Sequence, residues 1–222
     1  MSKDETPSAS LPLLSVSKAI LISARPKQWT KNLLVFLALI FSFKEGWSFS
    51  DVDQAIDVAQ KSIIAFLLFC TLSSAVYLFN DITDIEKDRL HPTKKLRPIP
   101  SGRLSLSTAW IITIILIAIS LTFSIVLEPL LGSVSAGYTV LMLLYSRWTK
   151  NIILLDVFSI SGGFVLRAVA GAVALTIPIS PWLYSCTGLG ALLIALCKRR
   201  SELSIAGELA SNQRGSLQSY SL

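Results

Sequence analysis

The sequence predicts an all-α protein, a polytopic transmembrane helical bundle. Its 222 residues are 52% hydrophobic and 15% charged, whereas a soluble domain carries about 25% charged residues. The mean hydropathy is +0.62, and the apolar residues gather into long runs that short polar segments separate. Composition, run length and the placement of charge therefore favour a multi-pass membrane protein over a soluble one.

Apolar runs of near-spanning length define the order of the helices. The polar residues 1–13 are expected to form a disordered tail, and residues 14–24 a short amphipathic helix on the membrane surface. Six spans are expected at 29–43, 59–79, 104–127, 130–146, 152–176 and 181–197. The first and fourth are shorter than the ~20 residues that usually cross a bilayer. Residues 14–222 are expected to be a single domain.

The distribution of basic residues predicts the orientation in the membrane. Lysines and arginines precede the first span and follow the second, fourth and sixth, whereas the other connections hold only Lys44 and Lys61 against five acidic residues. Basic segments mark the cytoplasmic side. We therefore expect an integral membrane protein, in the plasma membrane, with a cytoplasmic N-terminus. No nucleic-acid partner is expected, because the basic residues do not gather on one solvated domain.

The three cysteines are predicted to be small core residues. Cys70, Cys186 and Cys197 lie in or at the ends of apolar runs. Their number is odd and their spacing matches no zinc or redox motif.

The segment after the second span carries the strongest chemical signal, reading NDITDIEKD at 80–88. On a continuous helix, Asn80, Asp81, Asp84 and Asp88 share one face, where the carboxylates repel one another unless a cation lies among them. Hard oxygen ligands suit Mg²⁺, which completes its shell with waters and substrate phosphates. The four residues are therefore predicted to bind Mg²⁺, with Asp81 and Asp84 catalytic. The alternative is a solvated acidic loop that neighbouring basic residues balance.

Basic residues that follow could hold phosphate oxygens. Lys94, Lys95 and Arg97 lie in a segment, 91–102, that prolines and a glycine interrupt, and an arginine grips phosphate through its planar fork. The alternative is that these charges only anchor the cytoplasmic side. His91 is the sole histidine, so it cannot build a metal site and is expected to shape the loop.

Arg167 lies in the middle of the fifth span, where a charge is costly and usually faces the bundle interior. Asp156 precedes it by nearly three helical turns, with Ser159 and Gly163 between them on the same face. This polar face is expected to line a cavity. Arg167 is then either a contact for a phosphate or lipid headgroup, or part of an ion pair with another helix.

These motifs resemble those of the UbiA-type intramembrane prenyltransferase superfamily. The aspartate segment followed by RPIPSG at 97–102 is similar to the first signature of that superfamily. RPKQWTKN at 25–32, HPTK at 91–94 and DVFSISGGFVLRAVAG at 156–171 are similar to the decaprenyl-phosphate phosphoribosyltransferase branch. The resemblance covers nearly all of residues 20–220.

The resemblance implies a bundle of about nine spans around a cavity open to the membrane. Six spans are visible, so the domain is expected to be truncated at its C-terminus. The implied reaction is Mg²⁺-dependent transfer of 5-phosphoribose from 5-phosphoribosyl 1-diphosphate to a polyprenyl phosphate at the cytoplasmic face, with release of diphosphate. The expected substrate-binding residues are Lys31, Lys94, Arg97, Asp156, Arg167, Lys198, Arg199 and Glu202.

The chain departs from the family pattern after the sixth span. Members that use prenyl diphosphates carry a second aspartate motif there, whereas this chain reads KRRSEL at 198–203. A site for a diphosphate, a sugar phosphate and a lipid phosphate needs added positive charge, so the departure favours the phosphoribosyl donor. Two alternatives stay open. One is transfer of a prenyl group from a prenyl diphosphate to an aromatic acceptor, with Tyr77, Phe79 and Tyr145 beside the cation; the other is a non-enzymatic transporter or scaffold.

Overall fold

The computed structural model describes residues 13–44, 46–178 and 180–206. Within them the secondary structure is helical, apart from one isolated bridge between Phe43 and Trp47. The α-helices are α1 Leu13–Ala24, α2 Leu37–Phe41, α3 Val52–Thr83, α4 Ile85–Leu90, α5 Leu106–Leu127, α6 Pro129–Arg147, α7 Ile153–Ala174 and α8 Pro181–Ala206. Three 3₁₀ helices, Pro26–Phe36, Lys94–Leu96 and Thr149–Asn151, connect them. The all-α prediction is confirmed. The expected tail, except Leu13, and everything after residue 206 lie outside the described residues.

Five of the described helices are long and apolar enough to cross a membrane. They are Val52–Thr83, Leu106–Leu127, Pro129–Arg147, Leu154–Ala174 and Pro181–Ser201, which correspond to the second to sixth expected spans. Local signals start several of them. The side chain of Asp51 accepts a hydrogen bond from Gln54 N at 3.0 Å before α3, and Ser105 accepts one from Thr108 N at 3.1 Å before α5.

The first expected span, 29–43, does not form the predicted α-helix. Pro26–Phe36 is a 3₁₀ helix, and only Leu37–Phe41 continues as α-helix. At about 2.0 Å and 1.5 Å of rise per residue, the two together extend about 30 Å, which is the thickness of a bilayer's hydrocarbon core.

Packing accounts for the 3₁₀ conformation of this segment. A 3₁₀ helix aligns residues three apart in one row, and Asn32, Val35 and Ala38 form such a row, buried against α3 and α7. The approach to α7 is close, since a Cβ added to Gly171 would lie 1.9 Å from the carbonyl oxygen of Val35. An α-helix, with 3.6 residues per turn, would rotate this row away from the contact.

The helix α3 lies at the centre of the bundle and packs against α1, α5, α6 and the first 3₁₀ helix. Its buried Phe69 and Leu72 join Leu131 and Tyr138 of α6 and Ala170 of α7 in the main apolar cluster. The outer helices α5 and α8 leave most of their apolar side chains exposed, as expected of helices that face lipid.

The cysteines are placed differently from one another. Cys70 is buried in α3, whereas Cys186 and Cys197 are exposed on α8. The prediction of core positions is therefore wrong for the latter two, because α8 packs along only a narrow stripe of its surface.

Candidate functional site

The aspartate segment is broken at its middle rather than continuous. The helix α3 ends at Thr83, Asp84 is the cap, and α4 begins at Ile85. The interruption is small, because Asp84 N still donates to Asn80 O at 3.0 Å. The predicted single continuous helix is therefore wrong in detail, since the break lies at Asp84.

Two arginines from distant parts of the chain neutralise the buried aspartates. Arg25 and Arg97 both contact the carboxylate of Asp81, and Arg97 Nη1 is 3.1 Å from its Oδ1. The same Nη1 is 2.6 Å from Oδ2 of Asp88. Asp81 and Asp88 are buried, so these pairs balance charges that would otherwise be costly to bury. Arg97, which was predicted to bind phosphate, contacts two of the aspartates in this structure.

A lysine neutralises the third aspartate of the segment. Lys150 Nζ is 2.6 Å from both carboxylate oxygens of Asp84. Lys150 lies in the 3₁₀ turn between α6 and α7, so this pair joins the α6–α7 turn to the end of α3.

The aspartate segment fits Mg²⁺ by the chemistry of its donors. Three carboxylates and the Asn80 amide lie on adjacent turns, although among the described residues no three acidic, histidine or cysteine side chains converge on one point. Mg²⁺ usually takes only one or two protein carboxylates, with waters and phosphates completing its shell. The cations now paired with the aspartates are the groups with which a metal ion would compete.

A cavity of about 500 Å³ opens beside Asn80. Four of its described wall residues are cations, contributed by the first 3₁₀ helix, α7 and α8: Arg25, Lys31, Arg167 and Arg199. Three tyrosines, Tyr77, Tyr138 and Tyr145, add hydroxyl groups. A concentration of positive charge inside a concave site favours a ligand with several anionic groups.

The first 3₁₀ helix supplies one wall of the cavity through its threefold repeat. Arg25, Gln28 and Lys31 are three residues apart and all line the cavity. Arg25 begins this row in the left-handed region, with φ 53°, which costs a non-glycine residue about 1–2 kcal/mol. Its contact with Asp81 and its position 5.1 Å from the ring centre of Tyr77 hold it there.

The buried guanidinium of Arg167 is hydrogen-bonded by neutral groups of its neighbours. Arg167 is 5% exposed, and its guanidinium donates to Asn32 Oδ1 at 2.8 Å, Gly163 O at 2.8 Å and Tyr138 Oη at 2.7 Å. All three acceptors are neutral, and among the described residues Arg167 does not form the ion pair that was one alternative. The geometry favours the other alternative, an anion contact in the cavity.

Asp156 shares the predicted face with Arg167 but has separate partners. Its Oδ2 is 2.7 Å from Arg199 Nε, and both residues are buried. Tyr145 Oη donates to its Oδ1 at 3.1 Å. Asp156, which was predicted to bind substrate, pairs with Arg199, and Arg199 in turn lines the cavity.

The remaining predicted substrate-binding residues either do not line the described part of the cavity wall or have side chains outside the described part of the structure. Lys94 is in a short 3₁₀ turn, where its backbone N–H donates to His91 Nδ1 at 3.4 Å. Desolvation, together with the charges of Lys94 and Arg97, lowers the pKa of His91, so a neutral ring accepts this bond. Lys198 and Glu202 lie in α8, and their side chains are outside the described part of the structure.

Two cations at this site could not be recognised from the sequence. Arg25 and Lys150 look there like ordinary cytoplasmic anchors, and their partners lie 56 and 66 residues away along the chain. Arg25, Gln28 and Lys31 are spaced three residues apart. This spacing would have indicated that Arg25 faces the site only if the segment had been known to form a 3₁₀ helix.

A second cavity lies at the opposite end of α7. It has a volume of about 580 Å³ and lies between α2, the end of α7 and the start of α8, with Phe41, Ile177 and Trp182 in its wall. Its described lining is apolar or uncharged, so the chemistry belongs to the first cavity.

Known proteins match most of this chain in sequence. The UbiA prenyltransferase family model matches residues 52–202. The decaprenyl-phosphate phosphoribosyltransferase of Mycolicibacterium smegmatis is 39% identical over 220 residues, which cover 99% of this chain and 68% of that protein. The protein of the same name from Mycobacterium tuberculosis is 36% identical over 209 residues, which cover 94% of this chain and 68% of that protein.

Solved structures give the same fold. A UbiA homologue from Archaeoglobus fulgidus bound to DMAPP and Mg²⁺ matches with a TM-score of 0.73 at 18% identity. The match covers 90% of this chain and 69% of that structure.

Proposed function

The chain belongs to the UbiA prenyltransferase family and is a transferase, and from that premise we propose that it moves 5-phosphoribose from 5-phosphoribosyl 1-diphosphate to a polyprenyl phosphate. The observation that carries this proposal is the cavity with four cations in its described wall. The sugar donor and the lipid acceptor together bring three anionic groups to the site, which this wall suits. The names of the two mycobacterial relatives support the same reaction.

The aspartate segment is the part of the site that fits the donor's diphosphate. Asn80, Asp81 and Asp84 would hold Mg²⁺, which when bound neutralises the diphosphate and stabilises its charge as it leaves. Arg25 both contacts Asp81 and lines the cavity, so it lies between the aspartates and the ligand space. Lys31, Arg167 and Arg199 also line the cavity and would face the sugar 5-phosphate and the lipid phosphate.

The reaction itself needs little proton transfer. An oxygen of the lipid phosphate forms a bond to C1 of the ribose while the bond from C1 to the diphosphate breaks. The lipid phosphate is already anionic, so it attacks without a strong general base. Positioning and charge stabilisation by the cavity wall therefore supply most of the catalysis.

We propose that the reaction occurs at the cytoplasmic face of the plasma membrane. The pairs of Asp81 with Arg25, Asp84 with Lys150 and Asp156 with Arg199 bring alternate connecting segments to one end of the bundle. Those segments carry most of the basic residues, which supports a cytoplasmic position. Ile160, Phe164 and Ile194 give the cavity an apolar side for the start of the lipid tail.

Prenyl transfer to an aromatic acceptor is the second candidate. Tyr77 and Tyr145 line the cavity, and aromatic rings stabilise allylic cations. Phe79, the third aromatic residue considered, packs against Trp110 at 5.8 Å between ring centres.

An assay with two labelled donors distinguishes these functions. Membranes that contain the full chain are given Mg²⁺ and polyprenyl phosphate with radiolabelled 5-phosphoribosyl 1-diphosphate, or an aromatic acceptor with radiolabelled prenyl diphosphate. Label is expected in the lipid extract with the sugar donor alone. Asp81→Ala and Asp84→Ala should each reduce it by about a hundredfold or more.

The matched control is Asp57→Ala, which removes an exposed aspartate of the same helix, paired only with Lys61. It is expected to keep wild-type activity. Transfer from the prenyl donor and none from the sugar donor would refute the proposed function, and full activity of either aspartate variant would refute the assignment of the site.

A further inference from the structure

The segment 85–103, which connects α3 to α5, has one face that packs against the bundle. Ile85 of α4 and Ile99 join an apolar cluster to which α1, α3 and α5 also contribute. Asp88 lies on the same side of α4 as Ile85, is buried, and pairs with Arg97 at 2.6 Å. These contacts determine which side of the segment faces inward.

The opposite face of the segment carries two leucines that little of the described structure covers. Leu90 is 88% exposed and Leu96 is 65% exposed. Leu90 ends α4 five residues after Ile85, which places it on the far side of that helix from Ile85 and Asp88. Leu96 N donates to Thr93 O at 3.2 Å within a 3₁₀ turn. Both leucines therefore belong to regular structure that directs them outward.

The exposed positions of this segment also carry an excess of positive charge. The exposed cations are Lys87, Arg89, Lys95 and Arg103, against one exposed acidic residue, Glu86. Arg89 pairs with Glu86 at 3.1 Å, so the remaining charge on this face is positive. Exposed leucines with an excess of cations suit the headgroup layer of anionic lipids, where apolar side chains enter the acyl boundary and cations meet lipid phosphates.

The turn that holds Leu96 lies next to a helix that faces lipid. Arg103 Nη2 donates to the carbonyl oxygen of Leu96, and Arg103 lies three residues before the start of α5. This helix is apolar enough to cross a membrane and exposes Trp110 and Ile111 in its first turns. A tryptophan at the end of a spanning helix is typical of the level of the headgroups. A cytoplasmic protein could also cover the leucines, but the cations and the closeness to α5 favour lipid.

We propose that the outer face of the segment 85–103 docks on the headgroup layer of the membrane and recognises anionic phospholipids. Leu90 and Leu96 enter the acyl boundary, and Lys87 and Lys95 meet the lipid phosphates. Lys87 lies one helical turn before Leu90 on the same face of α4, so the two can act together. This surface lies outside the cavity, and the inference does not depend on which group the protein transfers.

Quenching of a fluorescent probe by lipid tests the docking. The full chain, with its three cysteines replaced by serine, carries Leu90→Cys labelled with an environment-sensitive dye. It is reconstituted into vesicles of phosphatidylcholine, alone or mixed with phosphatidylglycerol, whose acyl chains are brominated near the headgroup. Quenching is expected to be at least about twofold stronger when phosphatidylglycerol is present.

Charge variants test the recognition of anionic lipid. Lys87→Gln together with Lys95→Gln should remove about half or more of the gain that phosphatidylglycerol gives, because two of the exposed cations are lost. The control is the same dye at Ile111→Cys, on the exposed side of α5. Its quenching should be equal in both lipid compositions, with or without the two lysines.

Absence of quenching at Leu90→Cys in both compositions, with the Ile111→Cys dye quenched, overturns the proposal. Aqueous iodide then distinguishes a face in solvent, which iodide quenches, from one that protein or a second copy covers. Equal quenching with and without phosphatidylglycerol also overturns it, because the lipid charge would not matter. Should Leu90→Cys fail size-exclusion chromatography, Leu96→Cys takes its place with the same expectations. Because no transfer is measured, failure of the proposed function would be seen separately.

Discussion

Arg167 shows how single residues prepare this site. Its acceptor Asn32 is itself fixed, because Asn32 Nδ2 donates to Ser73 Oγ at 3.1 Å and to Cys70 Sγ at 3.3 Å. These bonds direct Asn32 Oδ1 at Arg167. The guanidinium is thus held in place before any ligand binds, and its charge remains available to an anion.

Replacement of Arg167 by lysine tests whether geometry or charge matters at this position. The lysine keeps the charge but cannot reach Asn32, Gly163 and Tyr138 together. Loss of one or more hydrogen bonds to a charged group should lower stability by about 2–3 kcal/mol, or about 4–12 °C in melting temperature. Thermal unfolding in detergent measures this.

The control for this change is Arg89→Lys, at an exposed residue paired with Glu86, which should leave the melting temperature unchanged. Equal melting temperatures for Arg167→Lys and wild type would contradict the role assigned to the hydrogen bonds.

The first 3₁₀ helix is the element that most shapes the site. Its Asn32 and Val35, in line with Ala38 of α2, pack against α3 and α7, and its Gln28 and Lys31, in line with the preceding Arg25, line the cavity. Both depend on a repeat of three residues. The contact of Val35 with Gly171 keeps the helix close to α7, so the position of the cations depends on a glycine in another element.

Gly171→Ala is expected to disturb this element. A Cβ 1.9 Å from Val35 O must move backbone, because no flexible side chain is there to yield. Overpacking of this kind costs about 1–3 kcal/mol or more. The variant should have a lower melting temperature and reduced transfer activity.

Gly137→Ala in α6 is the matched control, since nothing lies within 4 Å of a Cβ at that position. Alanine favours a helix over glycine by about 1 kcal/mol, so this variant should be as stable as wild type or more stable. If Gly171→Ala behaved like Gly137→Ala, the close packing described here would be wrong.

At the scale of the whole molecule, ion pairs gather the site at one end of the bundle. The ion pairs Arg25–Asp81, Lys150–Asp84 and Arg199–Asp156 each join segments that are far apart in the chain. The first pair is separated by 56 residues and the second by 66. The end of the bundle that holds the cations is also the end that the charge distribution assigns to the cytoplasm.

Cysteine labelling tests this orientation. In a background with Cys70, Cys186 and Cys197 replaced by serine, single cysteines are placed at exposed positions of opposite ends, Ser50→Cys and Lys95→Cys. A membrane-impermeant maleimide added to intact cells should label the first alone, and the second should react only after permeabilisation. The reverse pattern would place the site outside the cell.

The fold could be predicted from the sequence further than the site could. Long apolar runs determine helices almost independently of context, so five expected spans appear as helices. Three of them lie within two residues of their predicted limits, whereas α3 and α8 extend beyond theirs. The segment at 29–43 could not be predicted because its conformation depends on contacts with α3 and α7. Cys186 and Cys197 were misplaced for a similar reason, since the share of α8 that packs is a property of the bundle.

By itself, the sequence determined the all-α membrane class, the family and the chemical nature of the site, because hydrophobicity, charge and motif spacing are local properties of the chain. Only the tertiary structure decided which cations meet which aspartates. It paired Arg25 and Lys150 with aspartates of the segment 80–88 and Arg199 with Asp156, and among the residues that the structure describes it surrounded Arg167 with neutral acceptors. The physical reason is that a buried charge selects its partner by position in the folded bundle, which sequence separation does not reveal.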